Sequence, residues 1–310
     1  MRIAHQQGGV ITARQCHELG ATDSDLRRLL GSGEWRRVRR GVYTGSRRPG
    51  PDAHQRRCAA VLAGLTAGTG VVSHVSPARL LGLPMPPRVD PRVSITRRPP
   101  APTNGPRSGA AARLAVHLAD YDDADVRYVD GVPILAGARL VLDCCDAMPP
   151  DSALAVADAA LTRGLTDPEQ LRAEVFRRRG RPGSRVARLV VERAAPGPQS
   201  WFESMSRWWL LEAGLPRPQL QVPFPTGTSD RDPAVDMWFA EQRTVGEADG
   251  AGKYDEPGSL FSEKLREDWL RDTYGVEVVR WVPREMRTPA RRGMVVARFH
   301  RAFVRGRRTA

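Results

Sequence analysis

The sequence predicts a multi-domain α/β protein, with a small helix-turn-helix unit and β-hairpin wing, a mixed α/β middle region, and a C-terminal α/β sandwich with a mixed sheet. At 310 residues the chain is long enough for two or three domains. Helical and strand patterns alternate along most of it. Breaks rich in proline and glycine, at residues 46–51 and 195–198, separate three expected domains: residues 1–50, 52–195 and 199–310.

Positive charge is concentrated at the two ends of the chain. The net charge is +13, with 48 lysines and arginines against 35 acids. Residues 1–50 contain ten arginines and four acids, and residues 287–310 contain eight arginines and no acid. Clustered charge of this kind favours a polyanion partner, a nucleic acid, over a merely solvated arginine-rich surface, and the partner that we expect is double-stranded DNA.

Membrane insertion is not expected from this sequence. No window approaches about 18 consecutive uncharged apolar residues, and the first residues lack the apolar core of a signal peptide. The four cysteines form no Cys-x-x-Cys pair, which favours buried reduced thiols over a zinc site. We therefore expect a cytoplasmic protein without a membrane partner.

The first 50 residues contain the start signals of two short helices. Thr12 and Gln15 have the spacing of a capping box, and Thr22 and Asp25 repeat that spacing before a second helix. Residues 35–43 then have the pattern of a basic hairpin. The shared core of this unit is expected to consist of Leu19, Leu26, Leu29 and Leu30.

A unit of this kind binds DNA by placing its second helix in the major groove. The candidate residues near base edges are Ser24, Arg27 and Arg28. The candidate residues for phosphates or the minor groove are Arg36, Arg37, Arg39 and Arg40. A helical hairpin with a polar edge strand is the alternative that would not bind DNA, but the charge of the unit favours DNA binding.

The middle region contains no evident catalytic motif. Helices are predicted at residues 52–67, 77–83, 135–148, 151–163, 167–178 and 185–194, and strands at 92–96, 113–118 and 132–135. His74 follows Ser73, which could indicate nucleophilic chemistry, but no Gly-x-Ser-x-Gly elbow accompanies the pair. A hydrogen-bonded packing histidine is the favoured interpretation.

The last region predicts the order helix, three strands, helix, strand, helix. Ser200 can cap the first helix, which ends before Gly214. The other elements are expected at residues 219–223, 234–239, 243–249, 263–274, 276–282 and 289–304. This order is typical of an α/β sandwich with a mixed sheet.

Acids on two of these strands can converge. Side chains alternate along a strand, so Glu247 and Asp249 share one face, and in a hairpin they can approach Asp236. Several carboxylates at one point suit Mg²⁺ or Mn²⁺, and a metal held in this way is typical of phosphodiester hydrolysis. Without a metal, Asp236 could cap a strand end and Glu247 could pair with Arg243.

Lysine is rare in this chain, which draws attention to Lys253. Of the 48 basic residues only Lys253 and Lys264 are lysines. Because Lys253 follows Asp249 by four residues, we expect its compact charge to act on a scissile phosphate or an attacking water.

The order and spacing of several short motifs carry a family resemblance. Ser200-Trp-Phe-Glu203, Ala213-Gly-Leu-Pro-Arg-Pro218, Val235-Asp236, Glu247-x-Asp249-Gly250 and Glu263-Lys-x-Arg-Glu-Asp268 together resemble the restriction-endonuclease-like DUF559 group, which is related to very-short-patch repair endonucleases and the PD-(D/E)XK superfamily. The N-terminal unit resembles the winged-helix domain of AbiEi-type antitoxins of type IV toxin–antitoxin systems. Ser73-His74-x-Ser76 and Asp130-Gly-x-Pro133 resemble the middle part of such proteins.

The resemblance implies catalytic roles for five residues: Glu203, Asp236, Glu247, Asp249 and Lys253. Asp236 would be the central metal ligand, Glu247 the second carboxylate, and Glu203 the helix acid near the metal. Asp249 stands where the superfamily usually has lysine, and an acid cannot take that role. Lys253 would replace it, since Gly250 and Gly252 let the backbone bend.

Two functions from different classes follow from these observations. The first is a DNA-binding protein with a Mg²⁺- or Mn²⁺-dependent endonuclease-like domain that hydrolyses phosphodiester bonds. The alternative is a non-catalytic AbiEi-like antitoxin that represses its own promoter, with the C-terminal fold as a relic or a dimerisation domain. A third interpretation replaces DNA with structured RNA.

Overall fold

The computed structural model describes residues 2–45, 53–63, 70–100, 114–227, 232–250 and 259–307. These residues contain helices and three separate β-sheets, which confirms the mixed α/β class. The chain forms two compact units. The first comprises residues 1–83, 87–148 and 165–188, and the second comprises residues 84–86, 149–164 and 189–310. The division into three domains stays a prediction.

The N-terminal helices begin at the residues that their capping signals predict. They are α1 (Arg2–Gln6), α2 (Ala13–Glu18) and α3 (Asp23–Gly31). The Thr12 hydroxyl accepts from the Gln15 N–H at 3.1 Å, and the Gln15 side chain accepts from the Thr12 N–H at 3.0 Å. Thr22 and Asp25 form the same reciprocal pair. In each capping box two backbone N–H groups donate to side-chain oxygens, that of the capping threonine and that of the third helical residue. The latter has no acceptor within the helix itself.

Three short strands complete this part of the first unit. They are β1 (Val10–Thr12), β2 (Trp35–Arg39) and β3 (Val42–Gly45), in the antiparallel order β1-β3-β2. Leu26 is buried in the small core with Ile11, Cys16 and Tyr43. The expectation that Leu19 joins this core is wrong, because α2 ends one residue earlier and Leu19 is 61% exposed in the turn that follows.

The rest of the first unit surrounds a five-stranded sheet of order β6-β5-β4-β8-β7. The strands are β4 (Val71–Val72), β5 (Val93–Arg97), β6 (Leu114–Leu118), β7 (Val126–Val129) and β8 (Val132–Leu135). The helices of the middle region are α4 (Ala53–Ala63), α5 (Val75–Leu80), α6 (Gly137–Ala147), α7 (Pro150–Thr162), α8 (Pro168–Arg177) and α9 (Ser184–Arg193). Of these, α7 belongs to the second unit.

His74 has the environment of a packing histidine. Its ring stacks on His117 with 3.5 Å between centroids, and burial lowers the pKa of His74 to about 4. The Ser73 hydroxyl lies 2.9 Å from His74 Nδ1, and an Asp143 carboxylate oxygen lies 3.9 Å from the same nitrogen. Because both groups approach one ring nitrogen, they do not form a nucleophile–base–acid relay.

Every element predicted for the last region is present in the second unit. The helices are α10 (Trp201–Glu212), α11 (Ser259–Tyr274) and α12 (Pro289–Gly306). The strands are β9 (Gln219–Pro223), β10 (Ala234–Phe239), β11 (Thr244–Ala248) and β12 (Glu277–Trp281). They form one mixed sheet of order β12-β11-β10-β9, in which β11 and β12 are parallel and the other pairs are antiparallel.

The register of this sheet decides which side chains share a face. Met237, Gly246 and Val279 are aligned across three strands, and the aromatic core around Trp281 and Phe299 packs against them. A Cβ atom on Gly246 would lie 3.1 Å from the Phe299 ring, so glycine permits this close packing. Because side chains alternate along a strand, Glu247 and its register partner Arg280 point to the opposite face.

Candidate functional site

Two acids of the predicted site, Glu203 and Asp236, are joined by the side-chain amide of Gln221. Gln221 Nε2 lies 3.2 Å from Glu203 Oε2 and 3.2 Å from Asp236 Oδ1. The Ser200 hydroxyl, which caps α10, also donates to Glu203 Oε1 at 2.8 Å. Gln221 has a φ of 50°, an uncommon conformation for a residue with a side chain. The two carboxylates are therefore held together at the expense of local backbone strain.

Asp236 and Glu247 are neighbours on the β10–β11 hairpin. They lie one residue beyond the last register pair, Met237 and Gly246, and Asp236 Oδ2 accepts from the Ala248 N–H at 2.8 Å. Glu247 is only 2% exposed. Burial, and then the charge of Asp236, raise the pKa of Glu247 to about 8. The two acids therefore resist simultaneous ionisation unless a cation or proton accompanies them.

Arg266 on α11 partly compensates this negative charge. Its NH2 group donates to Glu247 Oε1 at 3.3 Å and to the Ala234 carbonyl at 2.5 Å. The guanidinium charge lowers the pKa of Glu247 and so opposes the two causes that raise it. Arg243, the partner considered from the sequence, instead donates to the Tyr274 carbonyl.

Asp249 lies just after β11 and is 3% exposed. Its backbone N–H donates to the Trp281 carbonyl at 2.9 Å, which extends the pairing with β12. Arg280 NH1 lies 3.8 Å from Asp249 Oδ2, so an arginine stands beside this acid. Lys253 lies outside the described residues.

The donor chemistry of the Asp236–Glu247 pair fits a hard cation. Two neighbouring carboxylates, Glu247 buried and Asp236 half-buried, repel each other and are stabilised when a positive ion lies between them. Among the residues that the structure describes, however, no group of three or more histidine, cysteine, aspartate or glutamate side chains is arranged to hold a metal. Glu203 is linked to Asp236 through the Gln221 amide.

The residues predicted to contact DNA lie on α3, on β2 and in the turn that follows β2. Those that are exposed are Ser24, Arg27, Arg28, Arg36, Arg37 and Arg40, and Arg39 is half-buried. Arg28 NH2 lies 3.6 Å from Asp25 on the same helix. Exposed guanidinium groups on a helix and a hairpin are suited to contact phosphates and base edges.

Comparison with known proteins identifies one similarity. A protein-family model described as a transcriptional regulator, AbiEi antitoxin, matches residues 1–44. Comparison with curated protein sequences gives no match. The family match confirms, for residues 1–44, the similarity to AbiEi antitoxins, and the likeness of the C-terminal region to nucleases stays a prediction. In the described part of the chain, no helix has the length and apolarity needed to cross a membrane.

Proposed function

We propose that this protein is a transcriptional regulator that binds double-stranded DNA through residues 2–45. The observation that carries the proposal is the match of residues 1–44 to the AbiEi antitoxin regulators. Exposed arginines on α3 and around β2 support it, because they supply positive charge on the two elements that a winged helix presents to a duplex.

In this proposal α3 enters the major groove and the β2–β3 hairpin forms the wing. Ser24, Arg27 and Arg28 approach base edges, where an arginine fork can bond two acceptors of one guanine. The arginines of β2 and its turn contact phosphates and fix the position of the protein without selecting a sequence.

A binding experiment with a matched control tests this proposal. Fluorescence anisotropy would compare a duplex from the chain's own promoter with a random duplex and an RNA duplex. Replacing Arg27 and Arg28 by glutamine should weaken promoter binding by tenfold or more, at about 1–3 kcal/mol per lost base contact. Arg14→Gln removes a similarly exposed arginine from α2 and serves as the control. Equal weakening by both changes, or preference for RNA, would contradict the proposal.

Metal-dependent phosphodiester hydrolysis is a second candidate function, supported by the proximity of half-buried Asp236 to buried Glu247. Two neighbouring acids of which one is buried destabilise a fold when both ionise, so a purely structural role would favour neutral side chains there. Asp236 and Glu247 would hold Mg²⁺ or Mn²⁺, with Glu203 beside them. A bound metal would supply Lewis acidity to a phosphodiester.

The residues around the pair have positioning roles in this second candidate. The Ala248 N–H and the Gln221 amide orient the two oxygens of Asp236. Arg266 lowers the pKa of Glu247 and so favours its ionised form, the form that binds a cation. Lys253 keeps the role of the superfamily's lysine that the resemblance implies, and Asp249 is a further candidate acid on the same strand face as Glu247.

Plasmid nicking in Mg²⁺, Mn²⁺ or EDTA tests the second candidate. Metal-dependent nicking should occur in the wild type, disappear in Glu247→Gln and persist in Glu241→Gln, which changes an exposed acid close to the same strand. No nicking by any of the three proteins, together with intact duplex binding, would leave only the regulator.

A further inference from the structure

A pocket of about 300 Å³ lies beside β12, the edge strand of the four-stranded sheet. Four arginines line it, together with Glu267 and two valines: Arg280, Arg298, Arg301 and Arg305. This volume is at the lower end of the range of about 300–1,000 Å³ found for small-ligand sites. Three of these arginines are paired with acids and the fourth, Arg301, adds positive charge that no acid of the described residues matches, so the guanidinium donors of this pocket suit an anionic ligand.

The arginines converge because of the fold. Arg298, Arg301 and Arg305 are spaced by three and four residues, so they lie on one face of α12. Arg280 is the fourth of the five residues of the neighbouring strand β12. The pocket is therefore built by two elements that the chain brings together, and not by one run of basic residues.

Acidic side chains hold several of these guanidinium groups in place. Arg298 NH2 lies 2.8 Å from Glu285 Oε1, and Arg305 NH2 lies 2.7 Å from Glu277 Oε2. Arg280 Nε lies 3.7 Å from Glu267 Oε2. Each of these acids can fix the direction of an arginine fork, which lowers the entropy lost when a ligand binds.

Arg301 differs from the other three arginines of the pocket. It is exposed, and it forms no ion pair with any side chain in the part of the chain that the structure describes. Its charge is therefore available to a ligand. Its removal would also leave no acid of the described residues without a partner.

We propose that this pocket binds a phosphate group, supplied either by a nucleic-acid backbone or by a free nucleotide. Arginine forks match the oxygen geometry of phosphate and bind it through short, charge-assisted hydrogen bonds. Arg280 also places the pocket beside the candidate carboxylate site, since it is the register partner of Glu247. The inference depends neither on DNA binding by residues 2–45 nor on cleavage.

Titration of the full chain tests this site in two arms. The first arm measures binding of inorganic phosphate and of adenosine 5′-monophosphate by calorimetry. The second measures binding of a short oligonucleotide of arbitrary sequence, in protein that also carries Arg27→Gln, Arg28→Gln, Arg36→Gln, Arg37→Gln and Arg40→Gln. That background removes the exposed arginines of residues 2–45 that are proposed to contact DNA, so that they do not mask the result. Arg301→Gln is compared with Arg307→Gln, which removes another exposed arginine at the end of the same helix.

Arg301→Gln should weaken binding by about tenfold, the effect of one lost charged hydrogen bond, whereas Arg307→Gln should leave binding nearly unchanged. A loss in the first arm identifies a free phosphate or nucleotide as the ligand, and a loss only in the second identifies the backbone. Equal behaviour of the two variants in both arms would overturn the proposal. Circular dichroism of each variant checks that the fold is intact.

Discussion

Two carboxylates of the second unit, Asp158 and Glu247, are almost equally buried but have different partners. Arg207 NH2 lies 2.7 Å from both oxygens of Asp158, which also accepts from the Ser204 hydroxyl at 2.7 Å and the Ala195 N–H at 2.9 Å. Glu247 has Arg266 at 3.3 Å and faces the negative charge of Asp236. The charge of Asp158 is matched by Arg207 within the fold, whereas Glu247 has a longer contact with its arginine and an acid beside it, an arrangement that is typical of a ligand site.

Breaking the Asp158 pair should have the largest effect on stability. Arg207→Ala leaves a fully buried carboxylate without its cation, and we expect the free energy of unfolding to fall by about 3–5 kcal/mol. Urea denaturation measures the change. Arg307→Ala, an exposed change in the same unit, should alter stability by less than about 0.5 kcal/mol. Similar midpoints for the two variants would show that the buried pair does not stabilise the fold.

Replacing the ionisable carboxyl group of Glu247 should change how the stability of the protein depends on pH. The pKa of Glu247 in the folded chain, about 8, lies above its ordinary value of 4.5. Between these values the folded state keeps a proton that the unfolded chain has released, so this contribution to stability is lost as pH rises through that window. As the pH rises through this window, the free energy of unfolding of the wild type should therefore fall, relative to that of Glu247→Gln, by an amount on the order of a few kcal/mol.

Urea denaturation of both proteins at about pH 5 and about pH 8 measures this difference. The comparison is made in EDTA, so that no divalent cation masks the repulsion between Asp236 and Glu247. Parallel pH profiles for wild type and Glu247→Gln would mean that Glu247 ionises normally in the folded protein.

Adding a divalent cation should stabilise the folded chain by matching the charge of Glu247, as Arg207 matches the charge of Asp158. If Mg²⁺ binds at the pair, a hundredfold excess over its Kd stabilises the folded chain by about 2.7 kcal/mol. Thermal unfolding in MgCl₂ and in NaCl of matched ionic strength should differ for wild type and coincide for Asp236→Asn. A shift of the same size in both proteins would place the cation elsewhere.

Exposed charges should affect binding without a measurable effect on stability. Arg36 on β2 is exposed, so Arg36→Gln should change the unfolding free energy by less than about 0.5 kcal/mol. If Arg36 contacts a phosphate, the slope of log affinity against log salt should decrease in magnitude by about 0.9, because one counterion contact is lost. Arg14→Gln should leave the slope unchanged. Equal slopes for the wild type, Arg36→Gln and Arg14→Gln would exclude a phosphate contact by Arg36.

Local signals accounted for much of the fold. The capping boxes at Thr12 and Thr22, and the alternation along residues 234–239, depend on neighbouring residues alone, so the sequence predicts them directly. The approach of Glu247 to Asp236 was also predictable, because a short hairpin joins their strands. The strand Val10–Thr12 was missed because three residues give too short a pattern, and its pairing depends on a partner more than 30 residues away.

The partners of the candidate acids could not be predicted in the same way. Arg266 reaches Glu247 from a helix 19 residues away, and Gln221 reaches Asp236 from the neighbouring strand β9, where it has a positive φ. Asp158 and Arg207 are separated by 49 residues. Each contact depends on how helices and sheet pack, and no periodicity in the chain indicates it.

The parallel pairing of β11 with β12 links the two candidate sites, because the alternation of side chains along β12 decides which face Arg280 occupies. Glu247 and Arg280 share a face only while their register holds. Inserting one residue at the start of β12 and shifting the strand along β11 would turn Arg280 toward the aromatic core and take Trp281 out of it. Insertion of two residues would preserve the alternation. Insertions within β12 should therefore be tolerated better in pairs, and a single insertion that shifts the register would remove Arg280 from both candidate sites.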